Sequence, residues 1–367
     1  MILCKYKCCK IGGIFIFESY DIIIVGAGPA GSTFARIASK SYKILLIDGS
    51  TENGKPCGGL LAPDAQKALA CFDLTLPKDV LVDPQIFSVR TIDLETQKQR
   101  WYQRMYVNVD RKKFDKWLIS LVSSNVIIEK GTCEKIEKEP EGYIVKYKNK
   151  DGELVSVCGK ILVGADGANS VVRKSFFPKL LTRKYVSIQQ WFNKNSENAS
   201  PFYSCIFDHK TSDCCSWSIF KDDYIIFGGA FAPENCRKNF EEQKSKLIKF
   251  GIPLKQPVKT EACIVLRPKG LKSFCCGADN IFLIGEAAGF ISPSSLEGIS
   301  SAINSAVMLN ESLTSNKKDK HREYERKTMS LRLKLIAKNL KSPFMYTPFL
   351  RKLVMESGIT SIDVYRR

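Results

Sequence analysis

A Gly-x-Gly-x-x-Gly loop set between two apolar strands is the feature that most restricts how this chain can fold. Asp21-Ile22-Ile23-Ile24-Val25 is a short β-branched run of the kind buried on both faces of a parallel sheet. It leads directly into Gly26-Ala27-Gly28-Pro29-Ala30-Gly31, and then into a helical stretch from Ser32 to Ala38. A second apolar strand, Lys43 to Ile47, ends on Asp48. Gly26 permits the tight turn, Gly28 removes a Cβ where backbone would approach a pyrophosphate, and Gly31 lets the helix close on the strand. Pro29 and Ala30 complete the loop ahead of a helix end whose free N–H groups and positive dipole attract phosphate. Asp48 follows Gly26 by 22 residues, where a carboxylate can accept from both hydroxyls of a ribose. The unit reads as a dinucleotide-binding βαβ.

The rest of the chain is large enough for a second domain. At 367 residues it exceeds one ordinary core, and its 44% apolar and 26% charged content is that of a globular protein. No apolar run reaches the roughly 18–20 residues that span a bilayer. Lys5, Lys7 and Lys10 precede a short apolar run, Ile11 to Phe17, but no small-residue cleavage site follows. That segment is expected to be an N-terminal extension or extra strand. The 14 cysteines contain no Cys-x-x-Cys, and Cys8-Cys9, Cys214-Cys215 and Cys275-Cys276 are adjacent pairs. With only His209 and His321 available, no metal site is expected, and scattered thiols suit a reducing, cytoplasmic setting. The formal charge is +18, and Asn316 to Arg367 supplies half of it, with 14 Lys/Arg against 5 Asp/Glu. Such a charge attracts phosphorylated substrates, anionic lipid or nucleic acid alike, a solvated helical face is the plain alternative, and no nucleic acid is expected as a partner.

Two further segments repeat the strand-then-glycine pattern. Lys160 to Val163 leads into Gly164-Ala165-Asp166-Gly167, and Asn280 to Ile284 into Gly285-Glu286-Ala287-Ala288-Gly289. After the second, Pro293 to Gly298 reads as a loop and Ile299 to about Leu313 as a helix. Between Leu181 and Arg267 the pattern changes to alternating aromatic and β-branched runs: Tyr185–Trp191, Phe202–Phe207, Ser216–Phe220, Tyr224–Phe231 and Ala262–Leu266. Such runs predict an antiparallel sheet. The fold class is therefore α/β, with a Rossmann-type domain interleaved with an antiparallel substrate domain and closed by a helical tail. The boundaries run 1–19 extension, 20–82 dinucleotide domain, 83–108 substrate strands and 109–180 dinucleotide domain. The substrate sheet follows over 181–270, then the dinucleotide domain again over 271–315 and the basic tail over 316–367.

These motifs, with Lys55-Pro56-Cys57-Gly58-Gly59-Leu60 and Asp110-Arg111-Lys112-Lys113-Phe114-Asp115, resemble flavoproteins of the p-hydroxybenzoate hydroxylase fold. Within that family the resemblance is to the geranylgeranyl reductase branch, from Tyr20 to about Ser315. It implies FAD as cofactor, with Asp48 on the adenosine ribose, Arg111 near the phosphates, and Asp166 and Gly167 closing the pyrophosphate side. It places Gly285, Glu286, Gly289, Pro293 and Gly298 along the rest of the cofactor, Glu286 standing where the family carries Asp for a ribityl hydroxyl. The segment with Cys57, Gly58 and Gly59 would face the isoalloxazine, and the Cys57 thiol would be placed to donate a proton. Cys215-Ser216-Trp217-Ser218-Ile219-Phe220-Lys221 is similar to the branch's Tyr-x-Trp-x-Phe-Pro-Lys cavity segment. Trp217 and Lys221 match, while Cys215, Ile219 and Phe220 depart from it.

The resemblance implies reduction of a carbon–carbon double bond in an apolar prenyl or polyene substrate, phosphorylated or not. An FAD monooxygenase acting on an aromatic or polyketide-like compound shares the fold and is the alternative. With no second Gly-x-Gly-x-x-Gly, electrons are expected from transiently bound NAD(P)H or an acidic ferredoxin-like carrier. In the tail, Leu333, Ile336 and Leu340 fall on one helical face among lysines, so peripheral membrane contact through 316–367 is also expected.

Overall fold

The computed structural model describes residues 8–11, 14–51, 54–179, 182–194 and 202–364, with backbone alone over 8–17. Lys5 and Lys7 of the extension, the expected boundary at 180–181, and Arg366 and Arg367 lie outside the described residues. The backbone over Cys8–Ile11 and Ile14–Phe17 forms an antiparallel pair ahead of the first long strand.

That strand, Ser19–Val25, is central to a largely parallel sheet. It pairs with Ile44–Asp48 on one side and Leu154–Gly164 on the other, and these pair in turn with Ile127–Glu139 and Ile281–Leu283. Ile22, Ile23 and Ile24 are all fully buried, so both faces are covered, as a continuous β-branched run requires. Because these strands are parallel, Val25, Asp48, Gly164 and Leu283 end at one edge. The topology thus brings the glycine segments together. Ile127–Glu139, Gly142–Asn149 and Leu154–Gly164 also pair antiparallel as a meander.

The second sheet runs in the order Pro257–Arg267, Arg183–Asn193, Tyr224–Phe231, Ser216–Lys221, Tyr203–Phe207, Ile86–Asp93, Lys98–Asn108, Ser361–Ile362. All its pairings along this order are antiparallel except that of Tyr203–Phe207 with Ile86–Asp93. One face packs Phe192, Phe227 and Phe231 under the helix Cys236–Lys249, where Phe227 stacks on Phe240 at 5.0 Å. Alternation sends Trp217, Ile219, Gln189 and Gly228 to the opposite face, toward the dinucleotide domain.

The tail divides the expected apolar stripe, Ile336 packing partly against the core while Leu333 and Leu340 stay outside. The helix Lys320–Ala337 buries Tyr324, Thr328, Leu331 and Leu335, spaced as one helical face, while Leu333 and Leu340 are exposed. On that face Tyr324 donates to the Leu283 carbonyl at 2.9 Å inside the core. The later helix Pro348–Ser357 turns Arg351 inward onto Asp93 and Glu95 and leaves Phe349 and Leu353 outside. Among the described residues no helix is long and apolar enough to cross a membrane.

Candidate active site

The first glycine segment is shaped by two close approaches and one opening. Gly26 has φ +102°, and a Cβ there would stand 2.6 Å from the Ala165 carbonyl oxygen, so strand end and second glycine segment touch. A Cβ on Gly31 would lie 1.9 Å from the Gly26 carbonyl oxygen, so the helix Pro29–Ala38 closes only on a glycine. Gly28, the N-cap of that helix, has nothing within 4 Å of a built Cβ. No protein atom requires glycine at Gly28, so the opening is left for something that approaches the helix N-terminus.

The three segments form a closed set. A Cβ on Gly285 would meet Ala30 at 2.9 Å, joining the third segment to the first. Arg173 joins the second to the third by donating to the Ala168 and Ala287 carbonyls. Gly167 again has open space before it. The Asp166 carboxylate is committed to the next helix, accepting from the Val171 N–H at 2.6 Å, while its other oxygen is buried without a partner. Burial pushes this carboxyl up, against the pull of Ser170 and the backbone N–H groups. Gly289 ends the turn Gly285–Ala288, the Pro293 carbonyl accepts from Arg267 at 2.9 Å, and Gly298 is the N-cap of the helix Ile299–Leu313.

Asp48 ends its strand beside the loop. Burial works to raise its carboxyl, but Lys130 at 2.8 Å and the Ser50 N–H at 2.9 Å outweigh it and hold it below the usual range. The residues thus fit a dinucleotide: an open cradle at a helix N-terminus, and a carboxylate kept ionised where a ribose would lie. Lys130 escapes sequence reasoning because it is brought alongside by the parallel pairing Asp48↔Lys130, with no local motif.

Glu286 uses its extra methylene in the protein. One oxygen accepts from the Leu266 N–H at 2.9 Å and the other from Lys55. That ion pair ties the segment Lys55–Gly59 to the third glycine segment. Burial disfavours the Lys55 charge, but Glu286 outweighs it and the ammonium is held above its usual value. Arg111 opens the helix Arg111–Ser120 and is nearly buried. Its charge survives burial because the Asp115 carboxylate, 2.9 Å away, and the Cys57 thiol both hold it.

Gly58 lies directly on the second sheet. A Cβ there would be 2.8 Å from Ile219 Cδ1 and 3.6 Å from Trp217 Nε1. Trp217, Ile219 and Lys221 share this face. Lys221 is buried and donates to Asn108 Oδ1 at 2.6 Å, the Val109 carbonyl at 2.7 Å and the Gly59 carbonyl at 3.3 Å. None of the three acceptors is charged, and burial pushes the lysine down to about 8. Cys57, Gly58, Gly59, Arg111, Trp217 and Lys221 therefore form one group, although three separate segments supply them. Asn108, which orients Lys221, carries no sequence signal of its own.

Two interleaved sheets with three glycine segments at a shared edge define the fold as that of FAD-binding flavoproteins of the p-hydroxybenzoate hydroxylase type. A geranylgeranyl bacteriochlorophyll reductase-like protein from Thermoplasma acidophilum superposes at TM-score 0.77 and 22% identity, over 92% of this chain and 91% of that one. The flavin-dependent brominase Bmp2, as a triple mutant, gives 0.69 at 17% identity, over 92% and 93% of the two chains. PqsL of Pseudomonas aeruginosa, described as a probable FAD-dependent monooxygenase, gives 0.67 at 14%, over 92% and 100%. At such identities the likeness is one of fold. No family model matches the chain. Protein CbrA of Escherichia coli O6:H1 is 46% identical over 351 residues, 94% of this chain and 95% of that protein, and CbrA of Shigella sonnei matches equally. The chain belongs to the CbrA family.

Proposed function

We propose that this protein is an FAD-dependent oxidoreductase that reduces a carbon–carbon double bond of an apolar, prenyl- or polyene-type substrate. The observation that carries the reading is the Lys55–Gly59 segment, which sets a thiol beside Arg111 and lays Gly58 on the apolar pair Trp217 and Ile219. When bound, FAD would supply a hydride at N5. The chain's own part is to cradle the pyrophosphate at Gly28, hold a ribose at Asp48, and press the substrate between Trp217 and the Gly58 segment. The Cys57 thiol gives its proton to the carbon that the hydride does not reach, and regains one from water. Lys221 holds Gly59 and Asn108 in place for that geometry. The helix N-terminus at Gly298 would favour negative charge on a cofactor bound against it. Electrons arrive from transiently bound NAD(P)H or from an acidic carrier drawn to the basic surface.

An anaerobic stopped-flow experiment separates this reading from monooxygenation. The flavin, reduced beforehand, is mixed with a polyprenyl phosphate and oxygen is excluded. Reoxidation by the prenyl compound alone is expected. Reoxidation that requires oxygen and is quickened by an aromatic compound would assign the monooxygenase chemistry instead.

We also infer that the protein works at a membrane surface from the cytoplasmic side. The helix Pro348–Ser357 buries Arg351 and Met355 and leaves Phe349 67% and Leu353 48% exposed. Leu340 and Phe344 are exposed nearby, with Lys341 and Lys352 among them. An apolar face rimmed by lysines suits an anionic lipid headgroup layer. Flotation with phosphatidylglycerol vesicles checks this: wild type floats, and F349S/L353S stays at the bottom. Equal flotation of the two overturns it.

A further inference from the structure

The sheet face that meets Gly58 carries one row of directly paired residues: Glu261, Gln189, Gly228, Trp217 and Cys205. At one end, Glu261 Oε2 accepts from Trp191 Nε1 at 2.9 Å and from Gln189 Nε2 at 3.0 Å, while Lys259 holds Oε1 at 2.6 Å. These bonds fix the orientation of the Gln189 amide. Its Nε2 is committed to Glu261, which leaves Oε1 as the free end of the amide, on the residue paired with Gly228. Gln189 is only 2% exposed, and its Oε1 has no hydrogen-bond partner.

On the far side of Gly228 stands a matching orphan. The Trp217 indole lies over this glycine, and a Cβ built on Gly228 would be 2.7 Å from Nε1. That N–H is buried and also without a partner. An orphan donor thus sits above Gly228, and an orphan acceptor is carried by the residue paired with Gly228 on the next strand. A single oxygen with hydrogen bonds of about 2.8 Å to each side bridges groups on adjacent strands. Other buried polar atoms also lack a partner, Asp166 Oδ1 among them, but these two stand in one row of paired residues beside the thiol segment and are complementary, one donor and one acceptor. Solvent reaches neither atom. A ligand held between Trp217 and the Gly58 segment would bring the missing partner.

We propose that Gln189 and Trp217 form a hydroxyl-recognition subsite, in which a substrate O–H donates to Gln189 Oε1 while its oxygen accepts from Trp217 Nε1. A carbonyl or phosphate oxygen satisfies only the indole, and an ammonium only the amide. A hydroxyl satisfies both. The subsite rests on the placement of the active site given above and adds that its substrate carries an alcohol or phenol.

The test uses the flavin-loaded full chain and the absorbance change of its flavin. Farnesol is titrated against farnesyl methyl ether, which accepts but cannot donate, and 1-naphthol against its methyl ether. Wild type is expected to favour one alcohol over its ether by roughly tenfold. Q189L weakens the alcohol to the level of the ether, and W217F weakens both. A preference confined to the naphthol pair upholds the subsite and overturns the prenyl reading. Equal binding within both pairs, no binding of either, a preference that survives Q189L, or a W217F enzyme that binds the alcohol as wild type does would each overturn the subsite.

Discussion

Replacing Gly28 and Gly31 separately distinguishes a glycine required by a ligand from a glycine required by the fold. At Gly31 an added Cβ would stand 1.9 Å from the Gly26 carbonyl oxygen. Ordinary contact needs at least about 3.4 Å, so helix and strand would have to part by about 1.5 Å, and overpacking of this kind costs about 1–3 kcal/mol or more. At Gly28 the backbone is extended, φ −69° and ψ −174°, and the Cβ meets nothing within 4 Å. The apoprotein then changes only its N-cap, by under about 1 kcal/mol. The methyl group instead intrudes where a pyrophosphate would approach the N–H groups. Losing one charge-assisted hydrogen bond costs about 1.5–3 kcal/mol, roughly a ten- to hundredfold loss of FAD affinity. Urea unfolding of the apoproteins and FAD titration by fluorescence quenching read the two effects apart. G31A should lose apoprotein stability, and G28A should lose FAD affinity with its urea midpoint nearly intact. A G28A protein that binds FAD like wild type would refute the assignment of the cradle.

Three other perturbations have definite expected outcomes. Lys221 titrates near 8 in the fold but about 10.4 when unfolded. The unfolded chain therefore binds more protons between these values, and stability should rise with pH across that window by up to about 3 kcal/mol. K221M should lack the rise, and parallel urea midpoints for the two proteins from neutral to alkaline pH would contradict the burial of its charge. C57S should leave FAD affinity unchanged while slowing anaerobic substrate reduction by roughly 10²–10⁴-fold; an unchanged single-turnover rate would remove the thiol from the proton transfer. Arg351 makes bonds of 3.0 and 3.1 Å to Asp93 and another of 3.1 Å to Glu95 inside the tail interface. R351M leaves a buried carboxylate unpaired and should cost about 3–5 kcal/mol in chemical unfolding, whereas a change under about 1 kcal/mol would mean that water already reaches the pair.

What could be read from the chain alone follows the range of the forces involved. Ile22 to Val25, Gly26 to Gly31 and Asp48 announce themselves because a doubly buried strand is apolar throughout and a close turn admits only glycine. The strand Tyr224–Phe231 and the helix Ile299–Leu313 have the bounds their patterns suggest, because burial periodicity is local. The clasp between Lys55 and Glu286 joins residues 231 positions apart and has no local trace. The row Gln189, Gly228, Trp217 depends on the register of three strands, which turn and packing decide together. In the tail, spacing puts Leu333, Ile336 and Leu340 on one face but gives no sign that the core side is Tyr324, Thr328, Leu331 and Leu335, where Tyr324 reaches the Leu283 carbonyl.

The most direct measurement is the mass of the product. The flavin-loaded protein is supplied with a chemical reductant and a polyprenyl substrate in the strict absence of oxygen, and the extracted lipid is analysed by mass spectrometry. A gain of two hydrogens for each double bond consumed is expected, and it should vanish in C57A. A substrate that returns unchanged without oxygen, and heavier by one oxygen atom when oxygen is admitted, would contradict reduction as the chemistry of this site.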